Sequence, residues 1–143
     1  MPIFAARTPM RRAILLVAAA ALAAGLVTGA SAQALLSGEQ VYKETCFACH
    51  ATGLEKAPKF GDRKAWAPLI KEGQPALTAD AWLGVRAMPP KGGRATLSLE
   101  EFARSVAYMA RSAGGSWKDP DAAMLERIRK EEKRLLERRK AKP

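Results

Sequence analysis

From Ala13 to Ala30 no charge interrupts a run of Ala, Leu and Val. From Ser37 onward, apolar positions recur at helical spacing between clusters of Gly and Pro. Ser37-Gly38-Glu39 opens the first of these stretches, which runs to about Cys46. Ser37 stands where an N-cap belongs, and Gln40 three residues on completes a capping box. Ala51 to Gly61 is broken by Gly53, Pro58 and Gly61 and reads as loop. Asp62 can cap a short helix through Trp66, Leu69 and Ile70 that ends near Gly73. Pro75 then suits the first turn of another, which stops at Gly84. Arg86 to Arg94 holds Pro89, Pro90, Gly92 and Gly93 and must be irregular. Ser98 caps a last helix with Glu100 and Glu101 in its first turn, where acids favour the dipole. Along it Leu99, Phe102, Val106 and Met109 recur at i, i+3, i+7 and i+10 as one apolar stripe, and Gly114-Gly115 ends it. No strand pattern of useful length occurs, and no internal repeat. The pattern predicts an all-α domain over about Leu35 to Ser112.

Charge divides the chain further. Its 143 residues allow one domain, and the net charge is +10. Residues 1–32, 33–117 and 118–143 contribute +3, +3 and +4. In the first segment Arg11 and Arg12 precede the uncharged run, and Ala30-Ser31-Ala32 closes it. Positive start, apolar middle and Ala-x-Ala end define a secretory signal, with cleavage expected after Ala32. An uncleaved anchor is the competing reading, since the run sits near the lower limit for a span. The expected domains are therefore 1–32 signal peptide, 33–115 globular domain and 116–143 charged extension. In the extension Asp119-Pro120-Asp121 can start a helix, and Glu126 and Lys130 form a favourable i, i+4 pair. Leu125, Ile128, Leu135 and Leu136 give only a thin apolar stripe, so a solvated helix or frayed tail is expected. A docking arm for an acidic partner or an anionic lipid surface is the sharper alternative.

Fewer than about 80 residues, few of them aromatic, rarely make a core worth more than ~3–5 kcal/mol unaided. Something else should sit in the middle. Cys46-Phe47-Ala48-Cys49-His50 supplies it: Cys-x-x-Cys-His is a haem c attachment signature. Two thiols three residues apart on a helix lie on one side and can add to the two vinyl groups of one porphyrin. His50 can then offer an imidazole nitrogen to the iron. The two cysteines and the histidine are the only ones in the chain. A thiol–disulfide exchange pair would sit after a strand, a zinc site would need a fourth ligand, and a structural disulfide would leave His50 unexplained. With no second histidine, the sixth ligand is methionine, lysine, water or nothing. Met109 lies on the apolar stripe and reads as core, and Met124 lies in the charged extension. Met88 sits in an irregular loop stiffened by Pro89 and Pro90, which suits holding a thioether toward a metal. The plainer alternative is a hydrophobic plug.

These motifs, with Ala57-Pro58-Lys59, Ala65-Trp66-Ala67-Pro68, Ala87-Met88-Pro89-Pro90-Lys91-Gly92-Gly93 and Val106-Ala107-Tyr108-Met109, resemble the class I c-type cytochromes of the cytochrome c-five group. The likeness covers about Gly38 to Ser112. It implies helices wrapped round one covalent haem, the first and last crossing where Gly38 and Tyr42 meet Tyr108. It implies that the Pro58 carbonyl accepts the protonated nitrogen of His50. It also implies a Trp66 contact to a haem propionate, core packing being the equal alternative. Some members carry an extra cysteine pair after the glycines; here that segment is Arg94-Ala95-Thr96-Leu97. His50/Met88 ligation would fill both axial positions, leaving a one-electron carrier and not an enzyme, in a periplasmic respiratory chain. Two alternatives stand beside it: a haem subunit of a larger oxidoreductase, and a ligand-binding or peroxide-reactive protein if Met88 is labile. Basic residues Arg86, Lys91 and Arg94, with Lys56 and Lys59, bracket the haem and point to redox partners with acidic faces. A monomer is expected, with no nucleic-acid partner, and weak membrane-surface association through the extension is the secondary expectation.

Overall fold

Capping decides where the helices begin. Ser37 accepts Gln40 N–H through Oγ at 3.2 Å, and Gln40 Oε1 accepts Ser37 N–H at 2.8 Å. That box starts α1 (Gly38–Val41) in a computed structural model that describes residues 34–141. The chain then widens into one π-helical turn (Tyr42–Cys46) and returns to α-helix in α2 (Phe47–His50). The junction residues keep right-handed helical backbone, so Gly38 to His50 is one rod with a bulged middle. Asp62 Oδ1 accepts Ala65 N–H at 3.1 Å and opens α3 (Arg63–Glu72). Gly73 turns the chain directly into α4 (Gln74–Leu83), which has Pro75 in its first turn. A second capping box, Ser98 with Glu101, opens α5 (Leu99–Ser112). Asp121 Oδ1 accepts Met124 N–H at 2.7 Å at the start of α6 (Ala122–Ala141). Among the described residues the strand-like pairing is one isolated bridge, Val85 to Met88.

α5 is the centre of the packing because its apolar positions serve three clusters. Met109 and Ala110 join Tyr42, Cys46, Trp66 and Ala113. Phe102 and Val106 join Val41, Ala81 and Leu97. Leu99 and Ala103 join Ala79 and Ile128. The first and last helices of the predicted domain cross closely because Gly38 has no side chain. A Cβ there would overlap the carbonyl oxygen of Arg104 and come within 3.1 Å of Tyr108 Cβ. Beside that crossing the rings of Tyr42 and Tyr108 lie 5.7 Å apart, and Phe60 stacks on Tyr42 at 4.4 Å.

The charged extension differs from the solvated or frayed segment expected of it. It is a 20-residue helix packed on α4, in the same compact unit as α1 to α5. The stripe is thin but sufficient: Ile128 is fully buried, Met124, Leu125 and Leu135 pack around it, and Leu136 stays exposed. Glu126 pairs with Arg129 at 3.1 Å instead of Lys130. No helix among the described residues is long and apolar enough to cross a membrane. The signal peptide expected over 1–32 lies outside the described residues.

Candidate cofactor site

The bulged rod delivers Cys46, Cys49 and His50 to one place. Cys46 is buried and Cys49 half-buried, and neither is paired. Cys46 Sγ lies 3.3 Å from Ser105 Oγ on α5. Burial pushes the Cys46 thiol above its ordinary pKa, only partly opposed by the Ser105 hydrogen bond. His50 is buried, and its Nδ1 is 2.9 Å from the Pro58 carbonyl oxygen. A carbonyl can only accept, so Nδ1 carries a proton, and the neutral tautomer this contact selects has its lone pair on Nε2. The loop that brings Pro58 back is closed by Phe60 N–H donating to His50 O at 2.7 Å.

Trp66 walls the same side, 2% exposed, its ring 6.4 Å from that of His50. Its indole N–H, the group a propionate contact would use, donates to Lys59 O at 2.8 Å. Met109 is buried beside Cys46 and Trp66, in the core position its stripe predicts. Met88 lies in the neighbouring cluster, half-buried against Val41, Ala81, Leu97, Phe102 and Val106. Its backbone is fixed from both directions, with Met88 N–H on Val85 O at 2.9 Å and Val85 N–H on Met88 O at 3.1 Å. The donor set fits a covalent haem. It offers two unpaired thiols, an imidazole with one free nitrogen, and a thioether on a pinned loop, all against apolar side chains. No group of His, Cys, Asp or Glu that would hold a separate metal ion occurs among the described residues.

Residues 33–109 match the family described as cytochrome C oxidase, cbb3-type, subunit III. The chain is 38% identical over 99 residues to cytochrome c-555 of Chlorobaculum tepidum, an alignment covering 65% of this chain and 92% of that protein. It is 42% identical over 76 residues to cytochrome c5 of Azotobacter vinelandii, covering 52% of this chain and 92% of that one. The chain belongs to the class I c-type cytochromes. The cytochrome also resembles, at 45% identity and a TM-score of 0.52, a chain in the crystal structure of an electron transfer complex of nitrite reductase with cytochrome c. That likeness covers 53% of this chain and 93% of the other. The cytochrome is a monohaem electron carrier, and its cofactor is one covalently attached haem c with iron.

Sequence reasoning missed Ser105, although a serine one residue before Val106 on the apolar stripe is a visible signal. It also overcounted the free charge near the cofactor. Arg94 is paired with Glu44 at 2.7 Å, whereas Lys91, over the Trp82 ring 4.6 Å from its centroid, keeps its charge. Arg86, Lys56 and Lys59 remain exposed.

Proposed function

We propose that this cytochrome carries single electrons in a periplasmic respiratory chain, with Cys46 and Cys49 as thioether anchors and His50 and Met88 as axial ligands. The observation that carries the reading is the His50–Pro58 contact. It fixes the ring and leaves Nε2 unengaged on the residue that follows Cys49, and both thiols of the motif are unpaired. The haem supplies reversible one-electron oxidation and reduction at its iron. The chain's residues do the rest. The Pro58 carbonyl holds the His50 tautomer, Trp66 and Met109 exclude water on the His50 side, and the Val85–Met88 bridge with Pro89 stiffens the Met88 backbone. A methionine ligand favours the reduced state and raises the potential. With His50 and Met88 both holding the iron, the haem would supply electron transfer and no substrate site, which supports a carrier and not an enzyme.

Exposed Arg86, Lys56 and Lys59 flank the two loops that bracket the site, and an acidic partner face complements them. The cytochrome of the related complex is bound to a nitrite reductase, which supports a redox protein as partner. The uncharged N-terminal run and its Ala-x-Ala end support export and cleavage after Ala32, leaving 33–115 as the haem domain and 116–143 as an extension. The chain works as a monomer, without nucleic acid.

The ferric holoprotein should display the far-red absorption band of methionine ligation, and Met88→Ala should lose it while the haem stays covalently bound in a pyridine haemochrome assay. Cys46→Ala/Cys49→Ala should accumulate little folded protein. A Met88→Ala protein that retains the band would assign the ligand elsewhere, and a stable helical double-alanine variant would show that the core does not need the haem.

A further inference from the structure

The family match ends at residue 109, ahead of α6. Some contacts of α6 fall at the root of the Met88 loop. The joint is Trp82, near the end of α4. Its ring belongs to two apolar clusters, one shared with Met88 around Phe102 and one shared with Met124, Leu125 and Leu135 around Ile128. Its indole N–H donates to Glu132 Oε1 on α6 at 3.1 Å. Lys91, from the far side of the Met88 loop, stacks over the same ring.

Two turns further along α6, Arg139 meets the end of α4. It donates to Leu83 O at 3.3 Å and Gly84 O at 2.8 Å, and lies 3.4 Å from the Asp80 carboxylate. The last carbonyls of a helix have no partners within it, and a cation there also suits the helix dipole. Gly84 in turn lies flat on the methionine segment. Its φ is +82°, and a Cβ there would come within 2.8 Å of Pro90 N and 3.0 Å of Met88 O. Arg139 therefore holds the backbone where the loop leaves α4.

We propose that α6 is a clamp on the Met88 loop, in which Glu132 and Arg139 are positioning residues that slow withdrawal of the Met88 sulfur from the iron. The inference rests on Met88 as the sixth ligand. For the loop to swing out, Gly84 must rotate, and rotation breaks the Arg139 contacts. For the Trp82 side to loosen, the Glu132 hydrogen bond must break. The restraint on the loop is non-covalent.

The test uses the full-length ferric holoprotein mixed with imidazole, at concentrations where the binding rate saturates and reports loop opening. Arg139→Ala and Glu132→Ala should raise that rate about three- to tenfold while the resting far-red band persists. Glu132→Gln keeps an acceptor for Trp82 and should restore nearly the parent rate, and Lys133→Ala, exposed on the same helix, should leave it unchanged. Parent-like rates in both alanine variants would overturn the clamp. So would equal acceleration by Lys133→Ala, since that reflects general loosening and not positioning. If the parent protein lacks the far-red band, or Met88→Ala keeps it, the ligation reading fails first and the clamp falls with it.

Discussion

Glu101 ties Leu36, just ahead of α1, to the start of α5. Its carboxylate accepts Ser98 N–H at 3.0 Å, Ser98 Oγ–H at 2.8 Å and Leu36 N–H at 3.2 Å. These donors favour the ionised form, and the Ser98 bonds are the largest influence holding its pKa below the ordinary glutamate value. A depressed carboxylate stabilises the fold above its unfolded pKa, about 4.3, and that contribution disappears as pH falls through the lower folded value. Glu101→Gln should therefore lower Tm at pH 7 and lose less Tm on acidification than the parent. Parallel losses from pH 7 to pH 3 would contradict it. Gly84 makes a second prediction of this kind. Its φ of +82° and the backbone of Pro90 leave no room for a Cβ, so Gly84→Ala should destabilise by ~1–3 kcal/mol in denaturant titration. An unchanged midpoint would mean the loop can shift away without strain.

Helix α6 owes its place to a few positions. Ile128 is fully buried among Ala79, Leu99 and Ala103, so Ile128→Ala should cost ~2–5 kcal/mol, whereas exposed Leu136→Ala should cost little. Equal midpoints for the two variants would mean the α4–α6 contact does not form in solution. The starts of α1, α3 and α5 were legible because caps are local: Ser37, Asp62 and Ser98 can be read from four residues of sequence, and each caps as its pattern predicts. The Cys46–His50 motif was legible for the same reason. What stayed hidden depended on distant partners. A stripe of Leu125, Ile128 and Leu135 looks too thin to bury until α4 offers small residues such as Ala79 opposite it. Arg139 looks like one more solvated charge until it meets Gly84, 55 residues away. The π-turn over Tyr42–Cys46 carries no local sequence signal that we recognise.

The charge of the whole molecule acts through what remains unpaired. Arg94 is paired with Glu44, whereas Lys91 keeps its charge over the neutral Trp82 ring, so long-range attraction to an acidic partner falls to Lys91, Arg86, Lys56 and Lys59. Such attraction is screened beyond about 10 Å at ~0.1 M salt. Electron-transfer rates with a redox partner should fall as ionic strength rises, and Arg86→Glu or Lys56→Glu should slow association more than Arg94→Glu does. Salt-independent rates would leave these residues as solubility determinants.

The Gly38–Arg104 crossing, the Leu36–Glu101 bond across 65 residues and the Trp82–Glu132 bond across 50 share one property. Each joins parts of the chain that are neighbours in space and strangers in sequence. Most small helical proteins fold quickly because their contacts are local. Here each closure costs ~3–4 kcal/mol of chain entropy before any contact repays it. Folding should be slower than helix content alone suggests, with α1, α5 and α6 gaining their protection together instead of one after another.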